Sequence, residues 1–344
     1  MSEETHESVG VDELDLSLVN ALQIYPRAPW SLLGPVLGTD PATLTRRWAR
    51  LKAAGCAWVT TTATQAYVAR SCTALVEIDC APGHAMRVAN IIARDPHTIM
   101  IDRLASGRDL LVVVFTTDLP SMERYVTDRL GALHGVQRTT NRIMTGFFAE
   151  AGRWRLDALD PDQHSRIQAA YHRPTQTSGE LHPNDYELLR LLHLDGRASY
   201  AELAPQLGIS PSTARRRLDH LEATGYLSWQ CDFARPLAGW PITAAYWASA
   251  PTGLLAETAR SLAQLPETRF CVTVAGPHNI ILGVYLHSIA DTDRFETEIG
   301  RQQPHLSITD RAIAYHTVKA YSRVLDPRGR CIETITPAPG ISNS

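Results

Sequence analysis

Apolar residues recur at helical spacing between residues 183 and 225. Leu188, Leu189, Leu191 and Leu192 form one apolar face, Leu203 and Leu207 a second, and Leu218 and Leu221 a third. Asp195-Gly196-Arg197 breaks the first stretch, and Gly208, which needs no Cβ at positive φ, ends the second. His182-Pro183-Asn184-Asp185 opens the first helix, and Ser210-Pro211 reads as an N-cap followed by proline at the first helical position of the third. Ile209 is placed to plug the turn between them. The pattern predicts three helices with a short turn between the second and third, a helix-turn-helix. Tyr226 to Asp232 is strand-like and predicts a wing.

The same grammar occurs earlier at a constant offset of 170 residues. Leu18, Leu22, Leu33, Leu37-Gly38, Thr43, Arg46-Arg47, Leu51 and Gly55 match Leu188, Leu192, Leu203, Leu207-Gly208, Thr213, Arg216-Arg217, Leu221 and Gly225. Pro35 recurs as Pro205, although interior proline counts against a regular second helix. An ungapped register over this length marks a tandem duplication. The helix-turn-helix copies span 11–62 and 181–232.

After each copy the period changes. Thr73 to Asp79, Thr98 to Leu104, Leu110 to Phe115 and Val136 to Phe147 read as strands, with helices over Gly83 to Arg94 and Pro120 to Leu130. In the second half the strands are Thr243 to Ser249, Thr268 to Val274, Ile280 to Leu286 and Ser307 to Tyr315. The helices are Gly253 to Gln264 and Asp291 to Gly300. This is βαββαβ twice, over 70–150 and 240–322, and predicts an α+β chain with ferredoxin-like sheets that carry both helices on one face. The open sheet faces need cover, which pairing between these units provides. Residues 151–180 form a linker whose earlier part is expected to be helical. Residues 1–10 and 333–344 are expected to be disordered.

Charge narrows the function. The net charge is −3 with 20% charged residues, so the whole surface is not a nucleic-acid surface. The third helix of each helix-turn-helix is nevertheless basic. Thr43, Arg46, Arg47 and Arg50 in the first, and Ser212, Thr213, Arg215, Arg216 and Arg217 in the second, are the candidate DNA-binding residues. Arg215, Arg216 and Arg217 are consecutive and cannot share one narrow face, so at least one is expected on a phosphate. The six cysteines show no CxxC spacing and no cluster with histidine, which points to reduced thiols and no metal site. Membrane-length apolar stretches, GxSxG, P-loop and GxGxxG motifs are absent from the sequence, and a cytoplasmic location is expected. His84, His97, His134 and His278 read as surface or hydrogen-bonded side chains. Catalytic residues, cofactor and metal are all expected to be none.

The order of these parts resembles the Lrp/AsnC, or feast/famine, transcriptional regulators, whose second domain is called the RAM domain. Leu207-Gly-Ile-Ser-Pro-Ser-Thr213 is similar to the family's turn and recognition-helix start, and Val274-Ala-Gly-Pro-His-Asn-Ile280 to its glycine loop. Leu104-Ala-Ser-Gly-Arg-Asp-Leu110 reads as a copy of that loop one residue shorter. The resemblance covers about residues 11 to 325. It implies sequence-specific binding of double-stranded DNA and homo-oligomers built through RAM domains. It also implies an amino acid or related small effector near Gly107, Arg108, Asp109, Gly276, His278 and Asn279. Two fused units imply a pseudo-dimer within one chain. Proteins that resemble this family also include siroheme decarboxylases, which are the enzymatic alternative. The expectation from sequence is a regulator and not an enzyme.

Overall fold

A computed structural model describes residues 10–62, 71–149, 154–171 and 182–335. The first half runs α1 (Glu13–Ile24), α2 (Trp30–Val36), α3 (Pro41–Ala53) and β1 (Ala57–Thr62). Then come β2 (Cys72–Cys80), α4 (Ala85–Ile92), β3 (Thr98–Leu104), β4 (Leu110–Thr116), α5 (Leu119–Arg124) and β5 (Val136–Ala149). A π-helical turn, Tyr125–Leu130, continues α5. After α6 (Pro161–Ala170) the second half repeats the order as α7 (Pro183–Leu194), α8 (Tyr200–Leu207), α9 (Pro211–Ala223) and β6 (Ser228–Phe233). It continues with β7 (Ile242–Ser249), α10 (Leu255–Leu262), β8 (Thr268–Val274), β9 (Ile280–Leu286), α11 (Asp291–Gln302) and β10 (Ser307–Ala320), and closes with β11 (Arg323–Leu325) and β12 (Cys331–Thr334).

Local chemistry sets the helix ends. The Asp40 side chain accepts from Thr43 N, Ser210 accepts from Thr213 N, and each cap is followed by proline. Gly38, Gly55, Gly208 and Gly225 stop helices at φ between 63° and 71°. Pro35 and Pro205 sit inside α2 and α8 without interrupting them. Their positions near the ends of short helices leave few hydrogen bonds to lose.

The strands that follow the two helix-turn-helix copies, β1 and β6, do not act as wings. β1 and β6 pair with each other, antiparallel, from Ala57↔Phe233 to Thr62↔Ser228. The expected wing at 226–232 is thus a ribbon that ties one helix-turn-helix head to the other. Thr60 lies opposite Gln230, its own counterpart at the offset of 170, so a pseudo-twofold axis crosses the ribbon there.

The remaining strands follow the same axis. β5 pairs with β8 through Met144↔Val274, and β10 pairs with β3 through the equivalent Ala314↔Leu104. With β10 also on β7, eight strands close into a ring ordered β3-β4-β2-β5-β8-β9-β7-β10. Alternation along each strand then has a clear meaning. Ala74, Val76 and Ile78 of β2 face outward onto Val88, Ile92 and Met122 of α4 and α5. Leu75 faces inward, with Leu111, Trp247, Phe270, Val272 and Ile281. Both sheets are covered by each other, as the exposed apolar faces required.

Two further expectations change. The loops Leu104–Leu110 and Val274–Ile280 are equal in length; only the glycine shifts by one place. The tail is not wholly disordered: Cys331–Thr334 is β12 on β11, and Cys331 N donates to Gly55 O at 2.8 Å, while residues 336–344 lie outside the described residues. The linker contains α6, as expected, and it also inserts Trp154 and Leu156 into the core of the first head.

Candidate functional site

The third helix of each head turns the same stripe to solvent. Pro41, Ala42, Thr45, Arg46, Ala49 and Arg50 are exposed on α3, and Pro211, Ser212, Arg215, Arg216 and Asp219 on α9. Leu44, Trp48 and Leu51, and Ala214, Leu218 and Leu221, face the cores. Thr43 and Thr213 are half-buried and close the caps.

The predicted basic residues divide into two classes. Arg47 donates to Asp12 at 2.7 Å and to Asp15 at 2.9 Å, and Arg50 pairs with Asp15 as well as with Gly10 O. Arg217 donates to Asp185 at 2.9 Å. Asp15 and Asp185 are buried at the starts of α1 and α7, so these three arginines bolt the third helix to the first. The Arg47 hydrogen bond holds the Asp12 carboxyl below its usual range. Arg46 and Arg216 have no ion pair among the described residues, and Arg215 is only 4.0 Å from Asp219. Of the Arg215–Arg217 run, Arg217 turns inward to Asp185, which leaves Arg215 and Arg216 as the solvent-facing members. Sequence reading missed this because the acidic partners lie 32 and 35 residues away.

The heads also grip each other. Arg27 donates to Gly196 O and Ala198 O at 2.5 and 3.0 Å, and Arg197 returns the contact to Pro26 O and Ala28 O at 2.6 and 2.9 Å. Arg197 lies 4.0 Å over the Trp30 ring. Burial, with Arg27 nearby, lowers Arg197 to about 10, so it stays charged near neutrality.

The glycine loops sit where the two sheets join. Ala105 N donates to Ile313 O at 2.8 Å, and its counterpart Ala275 N donates to Ile143 O at 2.9 Å. Gly276 has φ +144°, and a Cβ there would stand 3.0 Å from Arg142 Nη1. Gly107 faces open space. Asp109 accepts from Cys80 N at 2.7 Å, while Asn279 accepts from Ala250 N and donates to Ala250 O. These two side chains serve the turn backbone. His278 Nδ1 is 2.9 Å from Thr309 Oγ1.

Arg108 reaches furthest. It binds Glu77 at 3.0 Å and Asp310 at 2.8 Å, with its guanidinium 4.0 Å over the Trp247 ring. Glu77 also accepts from Arg142 at 2.7 Å and from Trp247 Nε1 at 2.9 Å. Glu77, Arg142, Trp247 and Asp310 were not among the sequence candidates. The signal for Glu77 was a charged residue on the inward face of an otherwise apolar strand.

The four histidines singled out in the sequence occupy three separate places. His84 lies against His134, His97 against Tyr125, and His278 beside Thr309. Among the described residues no group of three or more His, Cys, Asp or Glu is arranged to hold a metal ion, and no helix is long and apolar enough to cross a membrane.

Comparison with known proteins gives the family. An AsnC-type helix-turn-helix domain matches residues 11–52 and again 184–222, and an Lrp/AsnC ligand binding domain matches 73–149. An uncharacterised HTH-type transcriptional regulator of Pyrococcus abyssi is 29% identical over 160 residues, which are 46% of this chain and 99% of that protein. One from Pyrococcus furiosus is 30% identical over 112 residues, covering 32% of this chain and 76% of its own length. The solved structure of the siroheme decarboxylase NirDL superposes with a TM-score of 0.58 and 13% identity, over 94% of this chain and 95% of that one. This last likeness overturns the expectation that the chain is not an enzyme, because an enzyme carries the same fold over nearly the whole length. With both helix-turn-helix copies and a ligand-binding segment matched, the chain belongs to the Lrp/AsnC family.

Proposed function

We propose that the chain is a transcriptional regulator that binds double-stranded DNA through both heads and senses a small effector at the sheet junction. In this reading it divides into helix-turn-helix units 11–62 and 181–232, RAM-type units 70–150 and 240–322, and a linker 151–180. The observation that carries it is the pair of solvent-facing third helices, each with an exposed arginine at the same position, Arg46 and Arg216, that has no ion pair among the described residues. Direct readout needs such free donors at the start of a recognition helix. The test is a titration with promoter-region duplex at several salt concentrations. Binding that weakens steeply with salt supports the reading. Absence of salt-dependent binding sinks it.

The effector is proposed to be an amino acid near Gly107, Arg108, Gly276 and His278. Arg108 and Arg142 carry guanidinium groups of the kind that bind a carboxylate, and an effector carboxylate and ammonium would exchange with their present pairs to Glu77 and Asp310. A thermal-shift screen of the amino acids, followed by Gly276→Asp, tests it. A response that survives Gly276→Asp unchanged rejects this loop. Assembly between chains is proposed to use Leu119 and Ile289, equivalent aliphatic positions that are each 60% exposed. Sedimentation of the intact chain as a monomer would remove that element.

A second reading rests on the fold shared with the siroheme decarboxylase. Addition of siroheme discriminates: a coloured complex with loss of carbon dioxide supports an enzyme, and an unchanged spectrum excludes it.

A further inference from the structure

Both heads share one pseudo-twofold axis, marked independently by Thr60↔Gln230, by the Arg27 and Arg197 grips, and by the Ala105 and Ala275 hooks. The axis relates α3 to α9 as a homodimer's axis relates its two recognition helices. A DNA duplex has the same local symmetry.

The surfaces those helices present are not equivalent. Pairing exposed positions at the offset of 170 gives Ala42 with Ser212, Thr45 with Arg215, and Ala49 with Asp219; Pro41/Pro211 and Arg46/Arg216 are alike. The caps differ as well. Asp40 is held ionised by hydrogen bonds from Thr43, and the equivalent Ser210 is neutral. A carboxylate at the helix start repels a phosphate or a base acceptor, whereas a hydroxyl can donate to either.

We propose that the chain reads a two-part duplex site whose half-sites differ, and therefore binds it in one orientation. Arg46 and Arg216 make the contact common to both halves. Thr45 on one side and Ser212 with Arg215 on the other make the contacts that distinguish them. This proposal rests on the regulator reading.

The test uses the full chain and a pool of duplexes randomised over about three helical turns, with bound sequences recovered at two salt concentrations. The expected result is a motif of two unequal halves that share one strongly fixed position. Reversing one half in the selected duplex weakens binding at least about tenfold, since a mismatched pair costs roughly 1–3 kcal/mol. A palindrome with equal halves, or a motif with one half only, overturns the proposal. Failure to retain any duplex in a salt-dependent way sinks the regulator reading instead. A second protein sharpens the outcome. Asp40→Ser, Ala42→Ser, Thr45→Arg and Ala49→Asp together copy the exposed face of α9 onto α3, and all four positions are exposed, so the fold is retained. This variant is expected to select a palindrome. Selection of the wild-type motif by it would also overturn the proposal.

Discussion

The two heads have the same backbone plan but are fastened to the body by different chemistry. In the first head Gln23, near the end of α1, accepts from Leu156 N at 2.9 Å and so holds the segment that returns from β5. The equivalent position in the second head, 170 residues on, is His193. It hydrogen-bonds Thr61 O and Ser322 Oγ, and so holds the segment that returns from β10. An amide does not titrate, whereas an imidazole does. Duplication has kept the clasp and changed its dependence on solution conditions.

The largest expected effect breaks this pair of clasps apart by pH. Burial, with Arg323 and Lys319 nearby, lowers His193 from 6.5 to about 4. The unfolded chain therefore takes up this proton first as pH falls. Stability is intact above the unfolded value and is lost between 6.5 and about 4. At about 1.4 kcal/mol per tenfold difference in proton affinity, the loss approaches about 3 kcal/mol. Denaturant midpoints measured from pH 7.5 to 4.5 check this. His193→Gln, which copies the first head's residue, is expected to flatten the acid side of the profile. A wild-type profile that is already flat would remove His193 as the cause.

A somewhat smaller contrast concerns the bolts beneath the recognition helices. Asp15 holds Arg47 and Arg50, and Asp185 holds Arg217 alone. Asp15→Asn is expected to cost about 2–3 kcal/mol and Asp185→Asn about 1–2 kcal/mol. Both fall below the loss for a fully buried pair, because the arginines partly face solvent. Equal midpoints for the two variants would show that Arg50 adds nothing to the first bolt.

Arginine substitutions separate contact from support within one helix. Arg216→Ala is expected to weaken specific DNA binding by roughly 1–3 kcal/mol with little change in stability. Arg217→Ala is expected to lower stability and to leave the salt slope of binding unchanged. The reverse pattern would mean that the Arg217–Asp185 pair opens on DNA.

The smallest effect joins the heads. Arg27→Met and Arg197→Met each remove two charge-assisted hydrogen bonds to carbonyls of the other head. Each is expected to cost about 1–2 kcal/mol. The double variant should show coupling in a mutant cycle, since the two guanidinium groups pack around the same turns. Strict additivity would mean that the two grips act independently.

Much of this architecture was legible in local pattern. Thr98–Leu104, Thr268–Val274 and Ile280–Leu286 were readable to the residue, because apolar runs between turn residues define their own ends. The capped starts of α3 and α9 were readable for the same reason. The wing was misread because the pairing of β1 with β6 joins segments about 170 residues apart, and nothing in either strand specifies its partner. The ion pairs of Arg47, Arg50 and Arg217 were not legible, because helix spacing shows which residues are basic but not which already have acidic partners. Glu77 and Trp247 were passed over although they occupy equivalent positions, because charge inside a strand reads as an interruption until the ring shows that the strand has two buried faces.

The hooks Ala105–Ile313 and Ala275–Ile143 link parts of one continuous chain. In a regulator made of separate subunits, pairing depends on concentration and fails on dilution. Here the partner is tethered, so its effective concentration is set by the linker and not by expression level. A cell holding a few copies keeps the same paired form as a cell holding many. Away from the ribbon, the arginine grips and the hooks, the two halves can diverge separately while remaining paired.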